Sequence, residues 1–455
     1  MCGRRKRCSP IVGGILAAKK TSMHICFISH LANMEGSERS LLGIIDYLMP
    51  MGVDISVVLP RRGPLVDELD RRQIAYRLTR LPWWTTRPGE TTNPDRMLRR
   101  IVKTGAVVAK MVEAWHADVV YTNTSVTSAG ALAAMLTGKP HVWHIREVPS
   151  NPEGIRYLLP LSTMVRFMDL SSNMVLYNSE AVRREWAGQT PLEKTRVINN
   201  YLPAPVVGEA EGVLELFERR PGLKEKFKIA IVGSILEWKR QLDAVRAITT
   251  LIKSGKPVCL LIVGPVSNEA YFEKIKALIR EKKMEDSVLY LGYLDNPAQV
   301  MGVADLTLVC SKTEPFGRVT IESMLVGTPV IGACGGGTPE LINDGVDGLL
   351  YAPGNVDDLA EKINSMVEDR PRLAKMSDAA RLSAKRFSSI AHTIGPIHDI
   401  LRSLQGQENP AQALGAVLSG SLSDMANQRS VGGWGGVDRL RRLMAGMFRR
   451  IRGTQ

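Results

Sequence analysis

The chain has 455 residues, with 59 Lys and Arg against 46 Asp and Glu, and a formal net charge of +13. Its length suits two domains of roughly 180 to 200 residues each. Hydrophobic residues at 44% and charged residues at 23% are typical of globular chains, which excludes wholesale disorder, a collagen-like chain and a disulfide-dense chain. No apolar run is long enough to cross a bilayer, so a bundle of transmembrane helices is also excluded.

The positive charge is concentrated at the two ends. Residues 1–22 hold six cations and no acid, and residues 437–455 hold six arginines and one acid. The high isoelectric point therefore reflects two basic tails rather than a nucleic-acid-binding domain. In the first tail the apolar run Ile11–Ala18 is short and contains two glycines, so we expect a basic N-terminal extension, or an upstream start, rather than a cleaved signal.

Short apolar strands alternate with amphipathic helices over residues 23–205. The predicted strands are His24–Ser29, Val53–Leu59, Asp118–Tyr121, His141–Ile145, Met174–Tyr177 and Arg196–Ile198. The predicted helices between them include Ser40–Leu48, Met97–Trp115 and Ser128–Leu136. This alternation predicts a parallel sheet that is covered by helices on both faces.

A second pattern of the same kind follows a Pro- and Gly-rich interruption at Pro203–Lys226, where we place the domain boundary. Over residues 206–387 the predicted strands are Lys228–Val232, Val258–Val263, Val288–Leu291, Leu306–Cys310 and Pro329–Ile331. The predicted helices are Gln241–Ser254, Ala270–Lys282, Pro297–Val303, Ile321–Leu325, Pro339–Ile342 and Val356–Glu368, and residues 372–404 are also predicted to be helical. The fold class is therefore α/β, with two tandem Rossmann-like domains.

Beyond residue 404 the composition changes. Residues 405–436 are rich in Gly, Ser, Ala and Gln, which is typical of a linker. Residues 437–455 contain apolar positions at helical spacing with arginines between them, which predicts a basic amphipathic helix. Such a helix is typical of contact with an anionic membrane surface, and docking on the protein itself or on a partner is the alternative.

Ligands of parallel sheets bind beyond the carboxyl ends of the strands, so the strand-to-helix loops are examined first. Gly36 lies in the first loop and would allow a backbone to approach an anion, although a simple turn is the alternative. His144 lies at the end of the fourth strand, and Arg146 and Glu147 follow it. Together they suit recognition of hydroxyls and phosphate; a structural histidine is the alternative. The glycine fingerprint of dinucleotide-binding proteins is missing, which argues against such a cofactor.

Two further segments of the second half carry charged groups next to helix starts. Lys239 and Arg240 precede a predicted helix, where a bound anion would explain the positive charge and two solvated charges are the alternative. Glu314 and Glu322 flank a sharp loop, and we expect Glu322 in the first turn of the next helix. This arrangement would let one carboxylate meet a ligand at the loop and the other reach it from the helix.

These motifs together resemble those of family 4 glycosyltransferases, over residues 23–404. The resemblance depends most on Glu314 and Glu322 with the intervening Pro315-Phe316-Gly317, followed by the segments at 336–340 and 347–349. It implies the two-domain GT-B architecture, in which both Rossmann-like domains face a central cleft. Residues 388–404 would then form a C-terminal helix that packs back toward the N-terminal domain.

The resemblance also implies roles for individual residues. His144 matches the active-site histidine of the family and would contact the transferred sugar, and Glu314 would bind its hydroxyls. Lys239 would bind the donor phosphate, and Glu322 the nucleotide ribose. Backbone N–H groups near Gly36 and at Phe316–Gly317 would surround the diphosphate.

One position departs from the family pattern. Ser234 stands where the family usually has an arginine, so one phosphate-binding cation is missing. We expect Arg318 or Arg240 to replace it.

The expected activity is transfer of a hexosyl group, with retention of configuration, from a nucleotide diphosphate sugar to a saccharide or lipid-linked acceptor. No metal is expected because no Asp-x-Asp pair is present, and no cofactor beyond the donor. The basic tails favour an acceptor at a membrane, in polysaccharide or glycolipid synthesis, and no nucleic-acid partner.

Cysteines without C-x-x-C spacing favour a cytoplasmic, reducing location, with peripheral contact at the inner face of a membrane. The alternatives for activity are a GT-B nucleotide-sugar epimerase or hydrolase and a non-catalytic sugar-binding protein.

Overall fold

The computed structural model describes residues 22–86, 93–149, 156–187, 194–205, 215 and 217–419, which form two parallel sheets. The first sheet contains β1 His24–Ile28, β2 Asp54–Leu59, β3 Ala75–Leu78, β5 Val119–Thr122, β6 His141–Ile145, β8 Met174–Tyr177 and β9 Thr195–Val197. Their order across the sheet is β3-β2-β1-β5-β6-β8-β9. Two short antiparallel strands, β4 Thr85–Thr86 and β7 Arg156–Tyr157, pair outside it.

Helices cover both faces of the first sheet. They are α1 Gly36–Leu48, α2 Pro64–Arg71, α3 Pro94–Ala114, α4 Ala129–Thr137, α5 Leu161–Ser171 and α6 Glu180–Ala187. Ile25 and Phe27 of β1 pack with α1 and α2, whereas Cys26 and Ile28 pack with α3 and α4. Because side chains alternate along a strand, both sides of β1 are buried, which explains its continuous apolar sequence.

The second sheet repeats this arrangement. It contains β10 Phe227–Val232, β11 Val258–Val263, β12 Val288–Gly292, β13 Leu306–Val309, β14 Val330–Ala333 and β15 Gly348–Tyr351, in the order β12-β11-β10-β13-β14-β15. Its helices are α7 Pro221–Lys224, α8 Gln241–Lys253, α9 Glu269–Glu281, α10 Ala298–Val303, α11 Arg318–Val326, α12 Thr338–Leu341, α13 Val356–Glu368 and α14 Arg370–Ala384. In each sheet the first strand of the sequence lies in the interior, and the strand order reverses beside it. Ligands of such sheets bind at this reversal, so we expect ligand sites at the carboxyl ends of β1 and β10.

The end of the described chain returns to the first half. Two helices, α15 Ile390–Thr393 and α16 Gly395–Leu404, follow a short 3-10 turn, so the region 372–404 contains several helices rather than one. Ile397 and Leu401 of α16 are buried in the core of the first half.

The prediction of a linker over residues 405–436 is wrong in part. Residues 412–419 form a further helix, α17, and its Leu418 is 2% exposed. Apolar residues spaced along this alanine-rich segment find a partner surface in the first half, which composition alone does not reveal. The predicted basic helix at 437–455 lies outside the described residues, as does the N-terminal extension apart from Ser22.

The sequence patterns did not predict four strands, namely β3, β15 and the two-residue strands β4 and β7. β3 is an edge strand with mostly exposed side chains, so it lacks the apolar run that marks the others. β15 has four residues directly after a turn, too few to show a pattern. Among the described residues, no helix combines the length and apolar character needed to span a membrane.

Candidate active site

Two helix N-termini, one from each half of the chain, meet in the cleft. α1 begins at Gly36 and α11 begins at Arg318, and neither N-cap residue, Glu35 or Gly317, forms a side-chain hydrogen bond with its helix. A Cβ atom built on Gly36 would lie 3.3 Å from Cδ of Arg318. Free N–H groups and the positive end of the helix dipole favour an anion at such a place.

Arg318 spans the junction between the two halves. Its Nη1 donates to Oγ of Ser40 on α1 at 3.2 Å, and its Nη2 donates to Oε1 of Glu322 at 3.2 Å. Burial lowers the pKa of Arg318, and the neighbouring Glu322 carboxylate opposes this shift. An arginine keeps its charge under such conditions, so a desolvated cation lies beside Gly36.

The predicted place of Glu322 in its helix is wrong. α11 begins three residues earlier than expected, so no acid lies in its first turn and Glu322 falls in the second. The helix starts early because Gly317 adopts a left-handed conformation with φ of 100°, which lets the chain turn directly into the helix.

Lys239 and Glu314 form an ion pair next to this junction. Nζ of Lys239 lies 3.0 and 2.9 Å from the two carboxylate oxygens of Glu314, and both side chains are largely buried. The ammonium also lies 4.7 Å from the centre of the Trp238 ring. Both residues line a small cavity together with Gln241, Ser311 and Gly317, among others.

Arg240 forms an ion pair with an acid of the helix that it precedes. It precedes α8 with φ of 57°, and its Nε lies 2.6 Å from Oδ2 of Asp243 in the first turn. A Cβ on Gly354 would lie 3.1 Å from Nη2 of Arg240, which places the guanidinium toward that turn. Arg318 and Arg240 are the two predicted replacements for the missing arginine. Arg318 lies at the junction beside Gly36, whereas Arg240 lies beside Asp243 and Gly354.

The loop that carries Glu314 is fixed by the glycines that follow β14. The carbonyl of Glu314 accepts the N–H of Gly337 at 2.7 Å. Gly336 has φ of 57°, and a Cβ there would lie only 2.4 Å from the Glu314 carbonyl oxygen. Only glycine fits this close approach, which explains the pair of glycines.

The same region is held to the first half by two polar contacts. Oγ of Ser179 donates to the carbonyl of Pro315 at 2.6 Å. The carboxylate of Glu340 accepts the backbone N–H groups of Glu180 and Ala181, at 2.9 and 2.5 Å, and so caps α6. Glu340 thus joins the two halves of the chain.

Phe316 contributes to packing through its side chain. The ring is 2% exposed and makes an edge contact with Phe387, with the ring centres 5.7 Å apart. Any contact of Phe316 with a ligand would therefore involve its backbone, as the sequence reading expects.

His144 is held in one tautomer by its neighbours. Its Nδ1 lies 3.2 Å from Nη2 of Arg146, which can only donate, and 2.6 Å from the hydroxyl of Tyr121. Nδ1 must therefore accept, and the ring proton belongs on Nε2. Burial and the adjacent Arg146 charge hold the pKa of His144 well below its usual range.

The neutral ring of His144 therefore offers a hydrogen-bond donor. Its Nε2 is buried and has no hydrogen-bond partner among the described residues. The side chain lines a second small cavity together with Ser40, Arg146 and Asn200, among others. Ser40 connects this cavity with the Arg318 junction, so both cavities lie along one cleft.

Arg146 and Glu147 are engaged within the first half. Nε of Arg146 donates to Asn123 at 2.7 Å, and Nη1 donates to Asn200 at 2.6 Å. The Glu147 carboxylate accepts from the hydroxyl of Thr124 and from the N–H and hydroxyl of Ser125. Arg146 thus orients His144, whereas Glu147 holds the loop after β5.

The sequence patterns did not single out Ser40, Tyr121, Asn123 and Asn200, and they gave Glu340, which lies in the segment 336–340, no individual role. Asn123 follows β5 directly, so the strand-end rule applied to every strand would have found it. Tyr121 lies inside an apolar run, and no pattern in the sequence distinguishes it. Within the described ranges, no group of three or more His, Cys, Asp or Glu side chains could hold a metal ion.

Two family models match the two halves of the chain. The model described as Glycosyltransferase Family 4 matches residues 34–202, and the model described as Glycosyl transferases group 1 matches residues 215–383. The chain is 29% identical in sequence to N-acetyl-alpha-D-glucosaminyl L-malate synthase of Bacillus anthracis. The aligned region covers 49% of this chain and 58% of that protein. The match therefore spans less than two thirds of that relative.

Two further relatives cover more of the chain. The 2-deoxystreptamine glucosyltransferase of Streptomyces kanamyceticus is 28% identical, over 63% of this chain and 77% of its own. The crystal structure of Anabaena HepE in complex with UDP and glucose has a TM-score of 0.70 and 25% identity, and covers 84% of this chain and 100% of that one. The chain belongs to glycosyltransferase family 4 and has the GT-B fold.

Proposed function

We propose that the protein is a retaining hexosyltransferase that uses a nucleotide diphosphate sugar as its donor. The observation that carries this proposal is the meeting of two helix N-termini, at Gly36 and Arg318, whose N-cap residues form no side-chain hydrogen bond, with Lys239 close by. A diphosphate has the charge and size to satisfy such a junction. The Anabaena relative was crystallised with UDP and glucose, which supports a nucleotide-sugar donor.

In the proposed reaction the bond between the anomeric carbon and the diphosphate oxygen breaks, and negative charge develops on the leaving diphosphate. Lys239, Arg318 and the two helix N-termini would stabilise this charge without a metal ion. The acceptor hydroxyl would attack from the same face as the leaving group, and its proton would pass to the leaving phosphate oxygen. This path preserves the anomeric configuration and requires no nucleophile from the protein.

His144 and Glu314 would orient the sugar rather than attack it. The Nε2 proton of His144 can be donated to a sugar oxygen, and the Glu314 carboxylate can accept from sugar hydroxyls. A histidine whose pKa is held well below its usual range is a poor base, which agrees with this role. Glu322 would bind the nucleotide ribose, and in the present arrangement its carboxylate pairs with Arg318.

For the acceptor we propose a saccharide or a lipid-linked saccharide at the cytoplasmic face of a membrane, in polysaccharide or glycolipid synthesis. The basic segment at 437–455 supports peripheral contact with an anionic surface, because cationic side chains near a membrane are attracted to its acidic lipids. No nucleic-acid partner and no cofactor are part of the proposal.

The first experiment measures release of nucleoside diphosphate from a panel of UDP-, GDP- and ADP-sugars, with and without a crude membrane fraction as acceptor. We expect release from one donor, loss of release in Glu314→Ala, and no binding of NAD. Turnover of the same extent without acceptor would identify a hydrolase or epimerase instead. Binding of a donor without release under any condition would leave a sugar-binding protein and refute the proposal.

A further inference from the structure

A histidine and a glutamate lie next to each other at the carboxyl end of β1. His30 follows this strand and is 6% exposed, and Glu38, in the first turn of α1, is fully buried. Oγ of Ser29, the residue before His30, lies 3.5 Å from Oε1 of Glu38. Burial raises the pKa of Glu38, and the neighbouring His30 opposes this shift. Because ligands of parallel sheets bind at the carboxyl ends of the strands, the pair lies where a ligand can reach it.

Each member of the pair has one polar atom that lacks a partner. The Ser37 hydroxyl donates to Oε1 of Glu38 at 2.7 Å. Oε2 of Glu38 and Nδ1 of His30, in contrast, are buried without a hydrogen-bond partner in the described part of the chain. Buried polar atoms without a partner are costly, so both atoms favour a ligand that forms hydrogen bonds. A hydroxyl group suits both atoms, because it can donate one hydrogen bond and accept another.

The half-buried ring of Trp83 adds an aromatic face to this pair. Its centre lies 5.4 Å from the centre of the His30 ring. The loop that carries it is fixed by the next residue, since the indole N–H of Trp84 donates to the carbonyl of Ser125 at 2.7 Å. An aromatic face beside a few hydrogen-bonding groups suits a sugar ring, which has an apolar C–H face and polar hydroxyls at its edge.

The pair also lies beside the residues that are proposed to orient the transferred sugar. Nδ2 of Asn123 donates to the carbonyl of Ser37, the residue before Glu38, at 3.1 Å. Oδ1 of the same Asn123 accepts from Nε of Arg146 at 2.7 Å, and Arg146 contacts His144. A hydroxyl compound bound at the pair would therefore lie close to the donor sugar, as transfer between the two requires.

We infer that His30, Glu38 and Trp83 form an acceptor subsite that binds a sugar ring of the acceptor. One hydroxyl of this ring would lie between His30 and Glu38, and its apolar face would lie against Trp83. The inference rests on the proposed function for the direction of transfer, and it adds the residues that recognise the acceptor and the class of group that they recognise. Their role is positioning, since in the proposed reaction the acceptor proton passes to the leaving phosphate oxygen.

The test measures binding of the methyl β-glycosides of glucose, galactose, mannose and N-acetylglucosamine to the full chain by NMR titration, in the presence of UDP, GDP or ADP. Glu38→Gln keeps the size of the side chain, and His30→Phe keeps a ring beside Trp83 but removes both nitrogens. Trp83→Ala removes the aromatic face, and Trp83→Phe retains one. The matched control Glu35→Gln removes an exposed acid from the same loop. Thermal unfolding and nucleoside diphosphate binding are measured on every protein.

We expect the wild type to bind at least one of the glycosides. Glu38→Gln and His30→Phe should each weaken this binding about tenfold, because each removes a hydrogen bond to a buried group. The double variant should weaken it about twentyfold rather than about a hundredfold, since both residues hold the same hydroxyl. Trp83→Ala should weaken binding about fivefold and Trp83→Phe about twofold. Glu35→Gln should bind the glycoside as the wild type does, and nucleoside diphosphate binding should not change in any variant.

Four outcomes would overturn the inference. The first is a wild type that binds none of the glycosides. The second is unchanged binding in Glu38→Gln and His30→Phe, which would leave their free atoms to structural water. The third is an equal loss in Glu35→Gln, and the fourth is independent, multiplying losses in the double variant, which would assign the two residues to separate contacts. If the buried variants unfold, the comparison of Trp83→Ala with Trp83→Phe decides.

The same proteins separate this inference from the proposed function. Glycoside binding that is weakened as expected, without release of nucleoside diphosphate from any donor, would support the sugar subsite and refute the transferase. Donor release that depends on a glycoside whose KM is the same in all variants would support the transferase and overturn the subsite.

Discussion

The replacement of the missing family arginine can be tested by removing the two candidate cations separately. Arg318 is largely buried and lies beside Gly36, so its charge acts in a medium of reduced dielectric constant. At a separation of about 4 Å and an effective dielectric constant near 20, one pair of charges interacts by about 4 kcal/mol. Loss of one such fixed group usually lowers kcat by roughly 10²- to 10³-fold.

We therefore expect Arg318→Ala to lower donor turnover by roughly 10²- to 10³-fold, and Arg318→Lys to retain an intermediate rate because the charge remains. Arg240→Ala should change turnover by less than about threefold, because this guanidinium pairs with Asp243 and lies toward Gly354 rather than toward Gly36. The assay is release of nucleoside diphosphate at saturating donor, with thermal unfolding to confirm that each variant is folded. Abolished turnover in Arg240→Ala with normal turnover in Arg318→Ala would refute the reasoning.

Three further substitutions, two of them with matched controls, test the loops around the cleft and the buried His141. Glu340→Ala removes the cap of α6, which is worth about 1 kcal/mol, and should raise the donor KM about fivefold. The control Asp369→Ala removes a helix cap that lies within the second half and should leave the donor KM unchanged. Gly336→Ala should displace Glu314 and lower turnover on the order of a hundredfold. In the control Gly345→Ala, φ is 80° and no atom lies within 4 Å of the added Cβ, so the substitution should only lower the free energy of unfolding by about 1 kcal/mol. Burial lowers the pKa of His141 to about 3, so the unfolded chain binds a proton that the folded chain does not as pH falls below about 6.5. His141 should therefore lower the free energy of unfolding by about 2 kcal/mol between about pH 7 and pH 5, in addition to the share of His144. In urea unfolding the loss for His141→Gln should be smaller by this amount, and an equal loss in the variant would contradict the assignment.

The strands at the centre of each sheet were predictable because burial on both sides leaves a continuous apolar run. β6, β8 and β11 have the predicted bounds. β3 was not predicted because its side chains are mostly exposed, as is usual for an edge strand, and so show no apolar run. Its strand conformation depends on pairing with β2, and the sequence pattern does not reveal this pairing. The same limit applies to α17, whose burial depends on a surface formed by residues far away in the chain.

For the site, the sequence identified residues whose place follows from a motif and missed those defined by distant contacts. Lys239 and Glu314 are 75 residues apart, yet each stands at a strand end and could be found separately. Ser40 is 278 residues away from Arg318, and no pattern in the sequence distinguishes Ser40 as the acceptor of the Arg318 guanidinium. The orientation of His144 likewise depends on Tyr121, a residue within a buried strand.

The ion pair between Lys239 and Glu314 would make the proposed donor site selective for a ligand that carries both a phosphate and a sugar. In the absence of a donor each side chain neutralises the other, which limits the cost of placing two charges in a largely buried position. A diphosphate that takes over Lys239 would leave the Glu314 carboxylate without its cation, and sugar hydroxyls are suitable donors to replace it. Phosphate alone would therefore leave a buried carboxylate unsatisfied, whereas an intact nucleotide sugar satisfies both groups. In this way the pair would favour the complete donor over its hydrolysis product.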